Sequence, residues 1–251
     1  MLLVVAPLSL LVGILLPVLG HARLAARQSV CMSNLAQLSH AVDHRAVDHQ
    51  QRYFEYRATP PAPLTGMQWW FGLEPANAMT SQRPLDHANG PLGPYLGGIA
   101  ERLQCDSFPY EDPNHVAKFA RRAASYGYNW KLSGLKKLGA FGEIPDELVR
   151  PQTKSRYRSR MSQVFLFADS LFFEPNANPL AFYEGYYIAH QVSTASLSGY
   201  AHFRHSGAAN VAYLDGHVAS QTLTGGFHKI VSGAKAGNLA AVDGSAAIYG
   251  D

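Results

Sequence analysis

The sequence predicts an α+β protein in which a long N-terminal helix, apolar in its first half, packs on a small antiparallel sheet head. Three observations carry this expectation. Residues 1 to 20 hold no charged side chain, and Ser9 is their only polar one, in a chain of 251 residues that is 47% hydrophobic and 16% charged. Neither Gly nor Pro interrupts the Ala-, Leu- and Gln-rich stretch between Gly20 and Pro60. Short apolar runs bounded by turn residues then dominate the second half, which is the pattern of strands.

The first element divides in two. At 1.5 Å rise per residue, residues 1 to 20 span roughly 30 Å, the thickness of a bilayer core. The anchoring side chains are Leu2, Leu3, Val4, Val5, Leu10, Leu11, Ile14, Leu15 and Leu16. Pro7 and Pro17 are tolerated in a spanning helix and predict a kink. A cleaved secretory signal needs a basic n-region and small residues at a cut site, and neither fits here. Residues 21 to 56 form the extramembrane half of the same helix, with Leu24, Cys31, Leu35, Leu38 and Val42 as its packing stripe. His40, His44 and Asp48 share a face at a spacing that can bind zinc, although a solvated surface is the ordinary reading of it.

Residues 57 to 251 make the head. Residues 57–66 and 84–98 are Pro- and Gly-rich loops, Ile99 to Leu103 is one helical turn, and Asp106 to Asn114 is loop again. Val164 to Ala168 reads as a buried central strand ending at Asp169-Ser170. Tyr186 to Val192 is a further strand candidate. Asn210–Leu214 and His217–Gln221 flank Asp215-Gly216, and such a dipeptide supplies the positive φ angles of a type I′ hairpin turn. The Gly- and Ala-rich tail from Thr224 suggests one short helix near 229–235 and little else.

Composition excludes several function classes. Two cysteines, Cys31 and Cys105, make neither a disulfide-dense scaffold nor a four-cysteine zinc module. A formal net charge of +3 over the whole chain names no nucleic-acid partner. The sequence contains no P-loop, dinucleotide fingerprint, nucleophile elbow or His-Glu-x-x-His pair. A non-catalytic protein without cofactor or small-molecule substrate is therefore expected.

Two constellations still invite a sharper reading. Asp169, Asp215 and His217, with His205, offer carboxylates and imidazoles to a metal-dependent hydrolase. At about 3.3 Å per residue, however, the strand puts His205 roughly 17 Å or more from Asp215. A structural role for His205, bonding backbone at the hairpin base, is the simpler expectation. Arg150, Lys154, Arg156, Arg158 and Arg160 form the one concentrated basic run, either a solvated loop or a contact for DNA or another extracellular anionic polymer.

Three stretches together resemble the pilin-like proteins of the type II secretion and type IV pilus class. The resemblance is to the planctomycete-type branch carrying a processing-associated His-x9-Asp-Gly motif near the C-terminus. They are the helix from Leu2 to Leu38; Gly93-Pro94-Tyr95-Leu96, Leu103-Gln104-Cys105 and Ser125-Tyr126-Gly127-Tyr128-Asn129 in that order; and Phe203-Arg204-His205 with Asp215-Gly216-His217, nine residues separating His205 from Asp215. The resemblance implies a pseudopilin-like structural subunit of a secretion or pilus apparatus. It would be held single-pass in the inner membrane with its head outside the cytoplasm, meeting other subunits through the N-terminal helix. The family's basic leader, Gly-Phe cleavage point and early Glu do not precede Leu2 here. Restored upstream, the leader would set that orientation. Outside the cytoplasm, Cys31 and Cys105 either remain thiols or close a bridge worth roughly 4 kcal/mol by loop entropy.

Overall fold

The computed structural model describes residues 2–76, 83–98, 100–133, 151–173, 180–188, 199–223, 228–237 and 239, without the side chains of residues 2–10, 228 and 229. Helix α1 (Leu2–Asp48) runs as one α-helix through both prolines. It ends eight residues short of the expected boundary, 48 against 56, because Gln50 and Gln51 take positive φ angles of 55° and 58°. The Gln51 N–H then returns to the Ala46 carbonyl at 2.7 Å, closing the helix end. Non-glycine residues at such angles are uncommon, so the sequence offered no stop signal. Beyond the turn, Arg52 bridges Thr153 and the Tyr53 N–H donates to Gln152 O, pairing this segment with the chain around residue 153.

The two halves of α1 have opposite surroundings. Cys31, Leu35, Leu38, Ala41, Val42 and Ala46 are all at most 2% exposed. This is the expected stripe, and burying a Leu or Val side chain contributes about 1.5–3 kcal/mol. Leu24, its first expected member, is 52% exposed. Leu11, Val12, Ile14, Leu15, Leu16, Val18 and Leu19 are each more than half exposed. No helix among the described residues is long and apolar enough to cross a membrane, and the side chains of Leu2, Leu3, Val4, Val5 and Leu10 lie outside them.

The segment 57–66, expected as loop, contributes β1 (Arg57–Ala58) to a small antiparallel sheet completed by β2 (Met67–Trp69) and β3 (Gly72–Glu74). The sheet's Trp69, Trp70 and Phe71 are buried against Tyr186 and Phe167. The expected turn before Cys105 is a 3-10 helix at Ala100–Leu103. β4 (Tyr126–Asn129) is buried throughout and runs antiparallel to β5 (Phe165–Phe173).

β5 is the axis of the head and extends past its expected end, with Asp169 and Ser170 fully buried inside it. A register shift between Phe165 and Phe167 brings Leu166 and Phe167 together into the core beneath α1. The second half of β5 pairs β6 (Phe182–Glu184). β7 (Tyr187–Ile188) runs parallel to β4, and the rest of the strand expected there, 189–192, lies outside the described residues.

β8 (Gly199–His202) and β9 (Ala208–Tyr213) lie antiparallel to successive parts of β5, with Ala201 opposite Ser170 and Val211 opposite Ala168. The chain from 202 to 210 therefore makes an excursion opposite a single β5 residue, Asp169. The excursion turns at Ser206 and Gly207, both at positive φ, with His205 and Ala208 exchanging backbone hydrogen bonds. β9 continues into β10 (Val218–Thr222) as the expected hairpin, but the turn differs in type. Gly216 N–H donates to Tyr213 O, Tyr213 N–H donates to His217 O, and of the turn residues only Gly216 has a positive φ, at 90°. This is a three-residue loop with glycine at the left-handed position, not a two-residue type I′ turn. The tail expected as a helix is instead a second hairpin, β11 (His228–Val231) with β12 (Ala234–Gly237), joined by Ser232 and Gly233 at φ 49° and 77°. β12 pairs β8 and extends the sheet.

Candidate functional site

Asp169 is the residue around which the excursion is built. Its carboxylate is completely buried and accepts from the Arg204 guanidinium at 2.5 Å, the Asn210 N–H at 2.7 Å and the His205 Nε2 at 3.3 Å. Burial opposes ionisation, yet the Arg204 charge, the His205 hydrogen bond and the Asn210 N–H together hold the carboxyl below its ordinary range. Arg204 also donates to the carbonyls of Ser170 at 3.1 Å and Ser125 at 2.8 Å, and its guanidinium lies 5.5 Å from the Phe108 ring centroid. One cation thus fixes β4, β5 and the excursion together.

The two cysteines meet this cluster. Cys31 of α1 and Cys105 form a disulfide across 74 residues of sequence, with Cα atoms 5.3 Å apart. Cys105 is placed by its N–H donating to Ser125 Oγ at 2.7 Å, and its Sγ lies 3.4 Å from His205 Nε2. Tyr126 adds a hydroxyl hydrogen bond to Cys31 O at 3.3 Å. Among the described residues, the group of metal-ligating type brought together is Cys31, Cys105 and His205, whose donor atoms all lie within 4.8 Å of one another and are buried.

The alternative metal set of Asp169, Asp215 and His217 is not assembled. Asp169 stands at the hairpin base, while Asp215 and His217 pair with each other at the tip, where His217 Nδ1 is 2.5 Å from Asp215 Oδ1. The separation follows from the length of β9 between base and tip. Asp215 and Gly216 build the turn, and Asp215 Oδ1 also accepts the His217 N–H at 3.2 Å. His205 pairs with Ala208 at the base through its main chain, while its imidazole reaches Asp169 and Cys105, contacts that the sequence did not suggest. His40 and His44 are exposed, and Asp48 accepts from the Tyr95 hydroxyl at 2.8 Å.

The basic run is divided. Lys154 is taken into an ion pair with Asp43 of α1. The Arg160 guanidinium lies 5.7 Å from the Tyr157 ring, Arg156 and Arg158 are exposed, and Arg150 lies outside the described residues. Sequence reasoning missed Arg204 as the organising cation. The Ser206-Gly207 dipeptide just after it is a turn signal that would have placed it beside a hairpin.

The stretches Leu103-Gln104-Cys105, Ser125-Tyr126-Gly127-Tyr128-Asn129 and Phe203-Arg204-His205, far apart in sequence, converge on this one place. Gly127 is required there: a Cβ on it would come within 2.7 Å of Ile188 Cγ1 and 2.9 Å of Ser170 Cβ. No protein-family model, curated protein or solved structure matches the chain.

Proposed function

We propose that this chain is a membrane-anchored, pilin-like structural subunit of a secretion or pilus-type apparatus, acting through helix assembly rather than catalysis. The observation that carries the reading is the division of α1. Its Cys31–Ala46 face is sealed into the head, while Leu11–Leu19 presents bare apolar side chains on every side. A contiguous apolar surface of that kind calls for lipid or for other helices. The convergence of the resemblance-bearing segments on one buried cluster supports the same reading, because it gives them a role in holding a head on a helix.

Fractionation of cells expressing the full chain tests the proposal. The protein is expected in membranes after high-salt and alkaline washing, with a photo-crosslinker at Leu15 or Leu16 giving oligomer ladders. Recovery as a soluble monomer, with no crosslinked species, overturns it.

A further inference from the structure

We propose that Cys31, Cys105 and His205 form a redox-gated site for a thiophilic divalent cation such as Zn2+, closed while the disulfide stands and opened by its reduction. The three donors come from α1, the segment after the 3-10 turn and the excursion between β8 and β9, and all three residues are at most 5% exposed. A tetrahedral zinc ion with bonds of about 2.3 Å to sulfur and 2.0 Å to nitrogen sets sulfur–sulfur and sulfur–nitrogen edges of about 3.8 and 3.5 Å. The 3.4 Å separation of Cys105 Sγ and His205 Nε2 is already such an edge. The two sulfurs must part, and His205 Nε2 must turn from Asp169 to the metal.

The chemistry closes with a dithiol reductant. Thiol–disulfide exchange breaks the Cys31–Cys105 bond, and the reductant gives up two electrons and two protons and leaves as its own disulfide. Zn2+ then displaces the two thiol protons to solvent and binds two thiolates and one neutral imidazole. Two thiolates cancel the charge of the ion, so the occupied site is neutral. The Asp169–Arg204 ion pair beside it is separately neutral. Burial, which would forbid an uncompensated charge, is therefore compatible with occupancy. On occupancy His205 Nε2 exchanges its hydrogen bond to Asp169 for the metal, and Asp169 stays held by Arg204 and the Asn210 N–H. The disulfide and the metal compete for the same sulfur atoms, so the head–helix junction is cross-linked in either state.

The test uses the full chain purified without oxygen from a reducing cytoplasm and compared with the air-oxidised protein, the thiol count of each fixed by mass. Zn2+ binding is measured by equilibrium dialysis, and Co2+ serves as a spectroscopic probe of thiolate ligation. One Zn2+ per reduced chain, a cobalt–thiolate charge-transfer band, and neither in the oxidised chain are expected. His205→Ala should weaken Zn2+ binding by at least about tenfold, while His217→Ala leaves it unchanged. Reduced, folded protein without stoichiometric Zn2+ overturns the proposal. So does His205→Ala binding as the wild type, a cobalt complex lacking the thiolate band, or reduced protein that unfolds and is not refolded by Zn2+.

Discussion

The β9–β10 region carries a histidine–aspartate contact at each end, and the two have opposite physical meaning. At the tip, His217 and Asp215 are 2.5 Å apart with side chains 44% and 37% exposed, and the imidazole stacks on Tyr213 with centroids at 4.3 Å. At the base, His205 and Asp169 are 3.3 Å apart with side chains 2% and 0% exposed. The shorter contact is the weaker dependence. Water screens the tip and can replace either partner, whereas the base is closed to solvent and ties three segments together.

Breaking the base should therefore have the largest effect. Arg204→Met removes the guanidinium paired with the buried Asp169 charge, and denaturant unfolding should show a loss of about 3–5 kcal/mol. Adding Asp169→Asn should restore part of it, since the uncompensated charge goes with the carboxylate. If the double variant is no more stable than the single one, packing by the guanidinium is the dominant contribution.

A third carboxylate separates burial from pairing. Glu184 is 4% exposed and is held by hydrogen bonds from the Ala123 N–H at 2.8 Å and the Tyr110 hydroxyl at 3.2 Å. Burial pushes its carboxyl from 4.5 up to about 8. The unfolded chain releases this proton from about pH 4.5 upward and the folded chain only near 8, so stability falls across that window as pH rises. Glu184→Gln should remove a fall of up to a few kcal/mol, read from unfolding curves at intervals between pH 5 and 8. His202 works in the other direction. Burial, then the Arg204 charge, presses its imidazole down to about 3, so its contribution is full above 6.5 and is lost as pH falls below it. A Glu184→Gln protein that still loses stability toward pH 8 removes this account.

The tip should respond least. Gly216→Ala meets no neighbouring atom, so only the backbone angle of +90° resists it, at about 1 kcal/mol. His217→Ala should change stability by under about 0.5 kcal/mol in the same assay. A tip substitution costing as much as Arg204→Met would erase the contrast between the two ends.

What could be read in advance follows from the range of each interaction. Cys31, Leu35, Leu38 and Val42 were legible because helical periodicity is local, and the β9–β10 hairpin because Asp215-Gly216 announces a turn. The end of α1 was not, since Gln50 and Gln51 adopt the left-handed region only because the following chain is drawn into pairing with residues 152–154. Asp169 read as a strand terminator because an isolated carboxylate does not belong inside a sheet. Its partners lie 35 and more residues away in an excursion whose existence depends on β8 and β9 sharing β5. The β11–β12 hairpin was missed although Ser232-Gly233 is a turn dipeptide, because the surrounding Gly and Ala hide strand propensity.

Among the described side chains, Cys31 is the first along α1 from its bare end that the head buries completely. The covalent link thus sits just inside the place where a pull on the free helix would begin to peel it from the head, at Gln28, whose side-chain amide donates to Ser220 Oγ at 2.8 Å. Peeling fails one contact at a time from the leading edge, but once the Gln28 hydrogen bonds to Ser220 and Asn210 give, it meets a bond instead of a contact. Tension on the helix is handed to Cys105 and the strands behind it all at once, so the joint must yield in shear or not at all.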